Sequence, residues 1–480
     1  MQNKLFLWLH MHQPDYLDSL TNKTILPWVR RHSLNGYYSV PKILLQTEFK
    51  ANINFSGILI EQIQRYQKGT KDIYQIYEEV DPKSLSQSEI NFIFRRFNTP
   101  YSFKSTRLDS LREKFTKEER LSYNEILDFQ VLFKLSAFAP IDEEVVELRK
   151  KGSNFTKEDK EVLINLEKRI IENLFNLYRE LLERSQIEIT VTPYYHPILP
   201  LLLSLHSAVE SKPNAKIPQI DSNLIEDAKI QIKRAIEIGE TVFGKKINGM
   251  WPAEGSISKE TINLIKDSGI KWVGSDEAVV KNFGLGQGIY DYNGTVLFLR
   301  NHAVSDKIGF VYNKMRAEDA ITDIKHEIAK NGTLILILDG ENPWEYFENY
   351  GIDFMKKLFG SFDRNNTLLG SDAIPMKKID SFTPGSWING YFDTWIGDEE
   401  TNAAWTYLLE IRKIIQSNNK AIEFLLKAEA SDHFWWYSDF HKKEINFDFD
   451  YLFRGHLIKA LLESNLEVKN YLYYPIKRFP

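Results

Sequence analysis

Cysteine is absent from this 480-residue sequence, which excludes disulfides, thiolate metal sites and cysteine nucleophiles. Long apolar runs are absent too: no window of about 18 apolar residues occurs, and a membrane-spanning helix needs that length. The first apolar stretch ends at His10 and His12, which is too early for the apolar core of a signal peptide. We therefore expect a cytoplasmic protein without a membrane partner.

Positive charge is not in excess either. The chain has 61 Lys and Arg against 66 Asp and Glu, a formal net charge of −5, which disfavours nucleic acid as a partner. Aromatic residues, in contrast, are abundant at 13% of the chain. Because the apolar faces of sugar rings stack on aromatic rings, this composition points weakly to carbohydrate, and a large aromatic core explains it equally. The oligomeric state is not predictable from these totals.

Strand-like and helix-like segments alternate along residues 1–376. The clearest strands are the apolar runs at 5–9 and 333–338. Such alternation predicts an α/β fold with a parallel sheet covered by helices, and the number of strands favours a barrel. Residues 63–184 break the rhythm and predict a helical insertion, whereas residues 377–480 predict a C-terminal helical domain that contributes to a substrate cleft.

The first group of functional side chains is H-M-H-Q-P at residues 10–14. His10 and His12, two positions apart after a strand, should point to the same side. Such a pair can bind a metal, hold sugar hydroxyl groups together with Gln13, or form satisfied hydrogen bonds in a buried turn.

The second group is Q-I-E-I-T-V-T-P-Y-Y-H-P at residues 186–197. Glu188 lies inside a predicted strand, where burial of an unpaired carboxylate would be costly. It needs a substrate hydroxyl or an ion-pair partner inside the barrel. His196 follows in a loop rich in proline and tyrosine.

The third group is G-M-W-P-A-E-G-S at residues 249–256. Glu254 follows a short strand and lies beside Trp251. A carboxylate next to a large aromatic ring is typical of a glycosidase nucleophile, but a glutamate here can also simply start a helix.

The fourth group is L-D-G-E-N-P-W-E at residues 338–345. Asp339 ends the strongest apolar strand, where burial and a neighbouring carboxylate would raise its pKa, as a general acid requires. Glu341 and Trp344 belong to the same loop, and Glu341 and Glu345 can alternatively cap a helix.

Two aromatic segments in the C-terminal region form the fifth group. Residues 387–397 include Trp395, and residues 431–441 include Asp432, Trp435 and Trp436. Tryptophans in a helical domain are usually core residues. Interleaved with this many polar groups, these favour the lining of a sugar-binding cleft.

Glycoside hydrolysis needs two carboxyl groups beside the bond, one ionised and one protonated. Glu254 and Asp339 come from different strand ends, which a barrel can bring together. This pair is our prediction for the catalytic residues.

Five motifs, in this order, resemble the signature regions of glycoside hydrolase family 57, and the likeness covers most of the chain. They are the residues at 10–14, 186–190, 250–255, 338–345 and, for the fifth region, 387–397 with N-A-A-W at 402–405. Ser185 stands where the family usually has glycine. Each motif is weakly specific alone, and the ordered set is much more specific.

The resemblance implies an incomplete (β/α)7 barrel and a C-terminal helical domain that closes the cleft. It also implies a retaining mechanism in which Glu254 is the nucleophile and Asp339 the acid/base. No metal or other cofactor is implied, so that His10 and His12 would bind sugar hydroxyls. His302 and Asp306 are expected on another strand-end loop nearby.

The motifs D-G-E-N-P-W-E and F-W-W-Y look most like the α-amylase and amylopullulanase branch. This likeness implies cleavage of α-1,4 and also α-1,6 bonds in glycogen, starch, pullulan or maltodextrins. A 4-α-glucanotransferase is the alternative within the class. A metal-dependent amide or ester hydrolase, with His10, His12 and Asp339 as ligands, is the alternative from another class. A retaining pair should lie about 5 Å apart.

Overall fold

A computed structural model describes residues 3–220, 222–415, 418–441 and 447–476. Nine strands occur within these ranges. They are β1 (Lys4–Met11), β2 (Ala51–Ser56), β3 (Ile187–Thr192), β4 (Gly249–Met250), β5 (Trp272–Asp276), β6 (Gly288–Tyr292), β7 (Thr295–Arg300), β8 (Thr333–Asp339) and β9 (Lys377–Lys378). They form one sheet in the order β8-β1-β2-β3-β4-β5-β7-β6-β9.

Seven of these strands, from β8 to β7 in the sheet order, run parallel to their neighbours. β6 is antiparallel to β7, and β9 pairs with β6. β7 and β8 form no ladder in the described chain, although Asn301 N donates to Ile335 O at 2.8 Å and the Arg300 guanidinium donates to Ile337 O at 3.1 Å. The barrel is therefore nearly but incompletely closed, as an incomplete (β/α)7 barrel requires, and this prediction is confirmed.

Helices connect the strands, as parallel neighbours require. Helices α1 (Trp28–Ser33) and α2 (Gly36–Leu44) follow β1. Between β2 and β3 lie α3 (Gly57–Gln67), α4 (Ile73–Glu79), α5 (Gln87–Arg96), α6 (Thr106–Thr116), α7 (Tyr123–Leu135), α8 (Glu143–Lys151) and α9 (Lys157–Glu183). Next come α10 (Leu199–Leu203), α11 (His206–Ser211) and α12 (Ile225–Phe243) before β4, and α13 (Lys259–Asp267) before β5. Helices α14 (His302–Phe310) and α15 (Ala317–Asn331) precede β8, and α16 (Ile352–Gly360) follows it.

The C-terminal region is helical. It contains α17 (Glu399–Ile414), α18 (Asn419–Ala428), α19 (Ser431–Tyr437) and α20 (Phe447–Glu463). Ser431 N, at the start of α19, donates to His196 O at 2.9 Å, so this region touches the loop after β3. The division into residues 1–376 and 377–480 stays a prediction. Along the described residues, each helix is too short or too polar to cross a bilayer.

Alternation along the strands separates two apolar layers. Phe6 and Trp8 of β1 pack inside the barrel with Trp272 and Phe298, where Phe6 stacks on Phe298 at 4.3 Å. The intervening leucines of β1 face the surrounding helices. This two-residue period follows from the pleat of a strand, and it makes the lower barrel a solid core.

At the carboxyl end of the strands, the inward-facing side chains change from apolar to polar. His10, Asp276, Arg300 and Asp339 are the last inward-facing residues of β1, β5, β7 and β8. His10 is in register with Asp339, and Asp276 with Arg300. The apolar core therefore ends in a layer of ionisable and hydrogen-bonding groups, at the end where barrel enzymes carry their chemistry.

Candidate active site

Three histidine rings form a stack at this end of the barrel. His196 lies on His12 with ring centroids 3.7 Å apart and planes within 10°, and His10 lies 5.2 Å from His196. His196 has a left-handed φ of 64°, which orients its ring from a tight turn after β3. The structure thus brings together two sequence-predicted groups, 10–14 and 186–197.

His10 and His196 are neutral near neutral pH. Burial, and then the neighbouring His12, lowers the pKa of His10 to about 3 and that of His196 well below its usual value. Neutral imidazoles offer one donor and one acceptor each, so their roles are set by their partners.

A chain of hydrogen bonds fixes these roles. His10 Nδ1 lies 2.7 Å from Asn54 Oδ1, an acceptor, so His10 donates there and its Nε2 accepts from His196 Nε2 at 3.1 Å. His196 Nδ1 must then accept from the Ser431 hydroxyl at 2.8 Å. The Ser431 oxygen also lies 3.2 Å from Glu254 Oε1, so the chain ends at the predicted nucleophile.

Asp432 joins the stack from the C-terminal region. Its carboxylate lies 3.0 Å from His12 Nε2, and His12 Nδ1 lies 2.8 Å from Ser56 Oγ. One ligand atom from each of His12, His196 and Asp432 lies within 4.8 Å of the other two. Two imidazoles and a carboxylate at this spacing can hold a metal ion, and they can equally bind sugar hydroxyl groups.

Glu254 lies at the base of the cleft, with its side chain 17% exposed. Its backbone is left-handed, with φ 59° and ψ 24°. Trp387 Nε1 donates to its Oε2 at 2.7 Å. Burial raises the pKa of Glu254 to about 8; the charges of Asp432 and Asp339 raise it further, while the bond from Trp387 opposes the shift.

Asp339 is surrounded by protein and yet open to solvent, which is the position of a group on a cleft wall. Asn342 Nδ2 donates to its Oδ2 at 2.9 Å. Burial raises the pKa of Asp339, and the Asn342 bond and the charge of Arg300 partly offset this. Two carboxyl groups with raised pKa values, one of which feels the charge of the other, are typical of sites of acid/base catalysis.

Arg300, the last residue of β7, contacts both Asp276 and Trp387. Its Nε donates to the fully buried Asp276 at 2.6 Å, and its guanidinium lies 5.1 Å from the centre of the Trp387 ring. Since Trp387 holds Glu254, Arg300 braces the nucleophile through an aromatic ring and also acts electrostatically on Asp339.

His302 and Asp306 complete the arginine cluster. His302 Nδ1 lies 3.0 Å from Asp276 Oδ2, and Arg300 Nη2 donates to Asp306 Oδ1 at 3.2 Å. Bonding to Asp276 raises the pKa of His302. Both residues contact Arg300, but they lie in the first turns of α14, which begins at His302, and not on a strand-end loop as predicted.

A buried layer lies behind Asp339. Gln13 Nε2 donates to Glu341 Oε1 at 3.2 Å, and the His12 amide donates to the same atom at 3.4 Å. Burial raises the pKa of Glu341 well above its usual value, as does the charge of Asp339. Trp344 is 2% exposed and bonds Gly340 O, so it supports the loop from below.

Glu188 lies away from this cluster, in the first half of β3. It accepts hydrogen bonds from Trp272 Nε1 at 2.9 Å and from the Ser371 hydroxyl at 2.6 Å. These partners satisfy the carboxylate without a sugar. Trp251 lies between Trp8 and His10 and is 5% exposed.

The C-terminal tryptophans differ in position. Trp395 is fully buried and packs against Trp435, with centroids 6.1 Å apart and ring planes tilted by 45°. Trp435 and Trp436 are half-buried and both contact His441. The roles predicted for these side chains in sugar binding stay predictions.

Trp387, Ser431, Arg300 and Asp276 belong to the cluster but were not among the predicted site residues. A signal existed for Arg300, because it ends an apolar strand in V-L-F-L-R as Asp339 ends T-L-I-L-I-L-D. Ser431 directly precedes Asp432, and Trp387 opens the fifth motif. Their contacts to Glu254 depend on chain crossings that no local pattern contains.

Comparisons with known structures show the same fold. The branching enzyme of Pyrococcus horikoshii superposes with a TM-score of 0.60 at 15% identity, covering 100% of this chain and 98% of that one. The α-amylase AmyC of Thermotoga maritima gives 0.58 at 12%, covering 97% and 93%. The 4-α-glucanotransferase of Thermococcus litoralis gives 0.57 at 15%, covering 96% and 60%.

At the level of sequence, no curated protein matches the chain. The sequence model of glycosyl hydrolase family 57, however, matches residues 6–385. That range includes the stacked histidines, Glu254 and Asp339. The chain belongs to glycosyl hydrolase family 57.

Proposed function

We propose that this chain is a retaining glycoside hydrolase that cleaves α-1,4 and also α-1,6 glucosidic bonds in α-glucans such as glycogen, starch, pullulan and maltodextrins. The observation that carries the proposal is the hydrogen-bonded chain from His10 and His196 through Ser431 to Glu254, a carboxyl group whose pKa also reflects the charge of Asp339. Solved structures of similar fold include an α-amylase, a 4-α-glucanotransferase and a branching enzyme.

The environments of the two carboxyl groups support their different roles. Burial raises the pKa of Glu254 to about 8, and the hydrogen bond from Trp387 Nε1 opposes this rise by stabilising the anionic form that a nucleophile needs. Asp339 is open to solvent, so it can exchange protons with water after each turnover. Glu254 would attack the anomeric carbon while Asp339 protonates the leaving oxygen, and Asp339 would then deprotonate the incoming water.

The histidine stack and Asp432 fit a sugar subsite. Their imidazole donors and acceptors, with one carboxylate, match the hydroxyl groups of a pyranose ring. A separation of about 5 Å between the catalytic carboxyl groups is our expectation for this mechanism.

The first experiment is incubation with maltoheptaose and with pullulan, with and without EDTA, followed by chromatography. Shorter products and new reducing ends from both substrates, unchanged by EDTA, support the proposal. Products longer than maltoheptaose without new reducing ends assign the chain to glucanotransfer, and new α-1,6 branches assign it to branching. Loss of activity with EDTA would point to a metal at His12, His196 and Asp432, and inertness would reopen the amide or ester hydrolase.

The mechanism has its own test. Asp339→Asn should lower turnover of maltoheptaose by about 10²- to 10⁴-fold, as expected for loss of a general acid. It should impair cleavage of α-maltosyl fluoride much less, because fluoride leaves without protonation. Glu254→Gln should abolish both reactions. Nuclear magnetic resonance of the first product should show the α anomer, and a β product would contradict retention.

A further inference from the structure

A second cavity lies in the C-terminal region, apart from the active site. It has a volume of about 800 Å³ and lies between the C-terminal half of α17, the segment before α12 and the segment after α20. The side chains that matter here are Gln219, Glu410, Lys413, Ile414, Lys469 and Tyr471. None of them contributes to the histidine stack or to the catalytic pair. The volume is within the range of small-molecule sites, roughly 300–1,000 Å³.

One wall of this cavity is a fixed aromatic ring. Tyr471 stacks on Tyr407 with centroids 4.1 Å apart and planes 26° from parallel. Its hydroxyl donates to Glu410 Oε2 at 3.2 Å. Since Tyr407 covers one face of the ring and the hydroxyl is tethered, the orientation of Tyr471 is set before a ligand arrives. Such preorganisation lowers the entropic cost of binding.

The polar groups around this ring have both signs of charge. Lys413 and Lys469 are donors, Glu410 is an acceptor, and the Gln219 amide is both. An anion would face Glu410 and a cation would face the two lysines. A neutral molecule with many hydroxyl groups can use all of these partners. Ile414, 47% exposed, adds an apolar surface beside them.

We propose that this cavity is a second binding site for an α-glucan chain, in which Tyr471 stacks on the apolar face of a sugar ring. The inference rests on the proposed function for the identity of the sugar. A polymer held here is tethered to the enzyme, which raises its effective concentration at the cleft.

The test compares a long and a short substrate. Tyr471→Ala should raise the KM for amylopectin by about two- to tenfold, the value of one aromatic contact, and leave kcat and KM for maltotriose unchanged. Tyr471→Phe, which keeps the ring, should retain most of the native KM. Tyr473→Ala is the matched control, because Tyr473 is 61% exposed and lies outside the cavity lining.

A second variant and a measurement on the native chain distinguish loss of the second site from misfolding of Tyr471→Ala. Ile414→Asn changes an exposed side chain and should also raise the KM for amylopectin. Hydrogen exchange of residues 406–414 and 469–471 in the native chain should slow when maltoheptaose is added. Unchanged exchange there, with an unchanged KM in both variants, would overturn the second site even if the enzyme hydrolyses maltoheptaose. Protection by inorganic phosphate instead would assign the cavity to an anion and also overturn it.

Discussion

Glu254 occupies a backbone conformation that residues with a side chain seldom adopt. Its φ of 59° costs of order 1–3 kcal/mol and persists only where the surroundings enforce it. Here Trp387 N donates to Glu254 O at 3.0 Å, while the Trp387 indole holds the carboxylate. Backbone and side chain are thus fixed by the same residue, which explains why the carboxylate points into the cleft.

The pH dependence of the native enzyme follows from the shared proton of the pair. In the proposed mechanism, the active form has one proton, on Asp339, and an ionised Glu254. The pair loses its last proton at the raised pKa, which is about 8 at Glu254. Burial raises this pKa most, and the nearby carboxylates raise it further. We expect kcat/KM for maltoheptaose to fall tenfold per unit above about pH 8. A basic limb well below pH 7 would contradict the shared-proton description.

Trp387→Phe tests the hydrogen bond to the nucleophile. The bond lowers the pKa of Glu254, so its loss should raise that pKa and leave more Glu254 protonated at neutral pH. A bond to a charged group is worth about 1.5–3 kcal/mol, which corresponds to a basic limb shifted upward by about one to two pH units. We expect kcat/KM at pH 7 to fall by about 10- to 100-fold.

The control for this variant is Trp28→Phe, a partly buried tryptophan stacked on His32. It should leave the pH profile unchanged. A fall in activity of Trp387→Phe without movement of the basic limb would mean that the indole acts only through packing.

The sequence predicts the positions of some site residues better than others. Asp339 was identifiable because a carboxylate ended the strongest apolar strand, and its structural position agrees with that reasoning. Glu188 had the same signal of a polar residue inside a strand, yet its partners are Trp272 and Ser371. An inward-facing residue reaches the cleft only if it lies near the carboxyl end of its strand. Its level in the barrel also depends on the register of that strand with its neighbours, which the sequence does not give.

At the scale of elements, tryptophans in the lower barrel require glycines opposite them. A Cβ on Gly274 would lie 2.2 Å from the Trp8 ring and 2.9 Å from the Trp251 ring. Gly274 belongs to β5, one inward position below Asp276. The glycine therefore lets Trp8 fill the space directly beneath the catalytic layer.

Gly274→Ala should destabilise the protein by about 1–3 kcal/mol, as overpacking of a core does. It should also lower activity, because Trp8 must move toward Trp251 under His10. Urea unfolding followed by circular dichroism measures the first effect. Gly309→Ala is the matched control: it has open space around it in α14, and it should be neutral or stabilising by up to about 1 kcal/mol.

A second variant separates packing from backbone effects. Trp8→Phe combined with Gly274→Ala should be less destabilised than the sum of the single changes, since the smaller ring makes room. Strict additivity would show that Gly274 is required for another reason.

The sequence predicts strands and helices where the periodicity of apolar residues is strong, but it does not predict the residues at which they begin and end. The apolar run at 50–59 predicts one strand, but β2 ends at Ser56 and α3 begins at Gly57. Burial on all sides makes a strand and the following helix equally apolar, so no polarity change marks the turn. β6 was not predicted: it has five residues, and it pairs with β7 across a short turn and with the two-residue β9.

At the scale of the whole molecule, a buried ion network joins α1 to the helices between β2 and β3. Arg30 donates to Asp72 at 2.7 Å, to Glu78 at 2.8 Å and to Glu167 at 3.0 Å. Lys134 lies 2.6 Å from Glu167 and 3.2 Å from Glu78. These charges are almost inaccessible to water, so each depends on the others for its solvation.

Glu78→Gln should therefore destabilise the chain by about 3–5 kcal/mol, the cost of leaving buried charges without their partner. Burial raises the pKa of Glu78, but Arg30 and Lys134 outweigh it and hold the pKa at about 2. A lowered carboxyl pKa contributes stability above the unfolded value, about 4.3, and loses it as the pH falls toward 2. The difference between the native chain and Glu78→Gln should thus be full at pH 6 and shrink below about pH 4. Glu113→Gln, in the exposed pair with Lys117, should leave the free energy of unfolding nearly unchanged. A pH-independent difference for Glu78→Gln would mean that the amide disturbs packing, and that charge does not hold the insertion to the barrel.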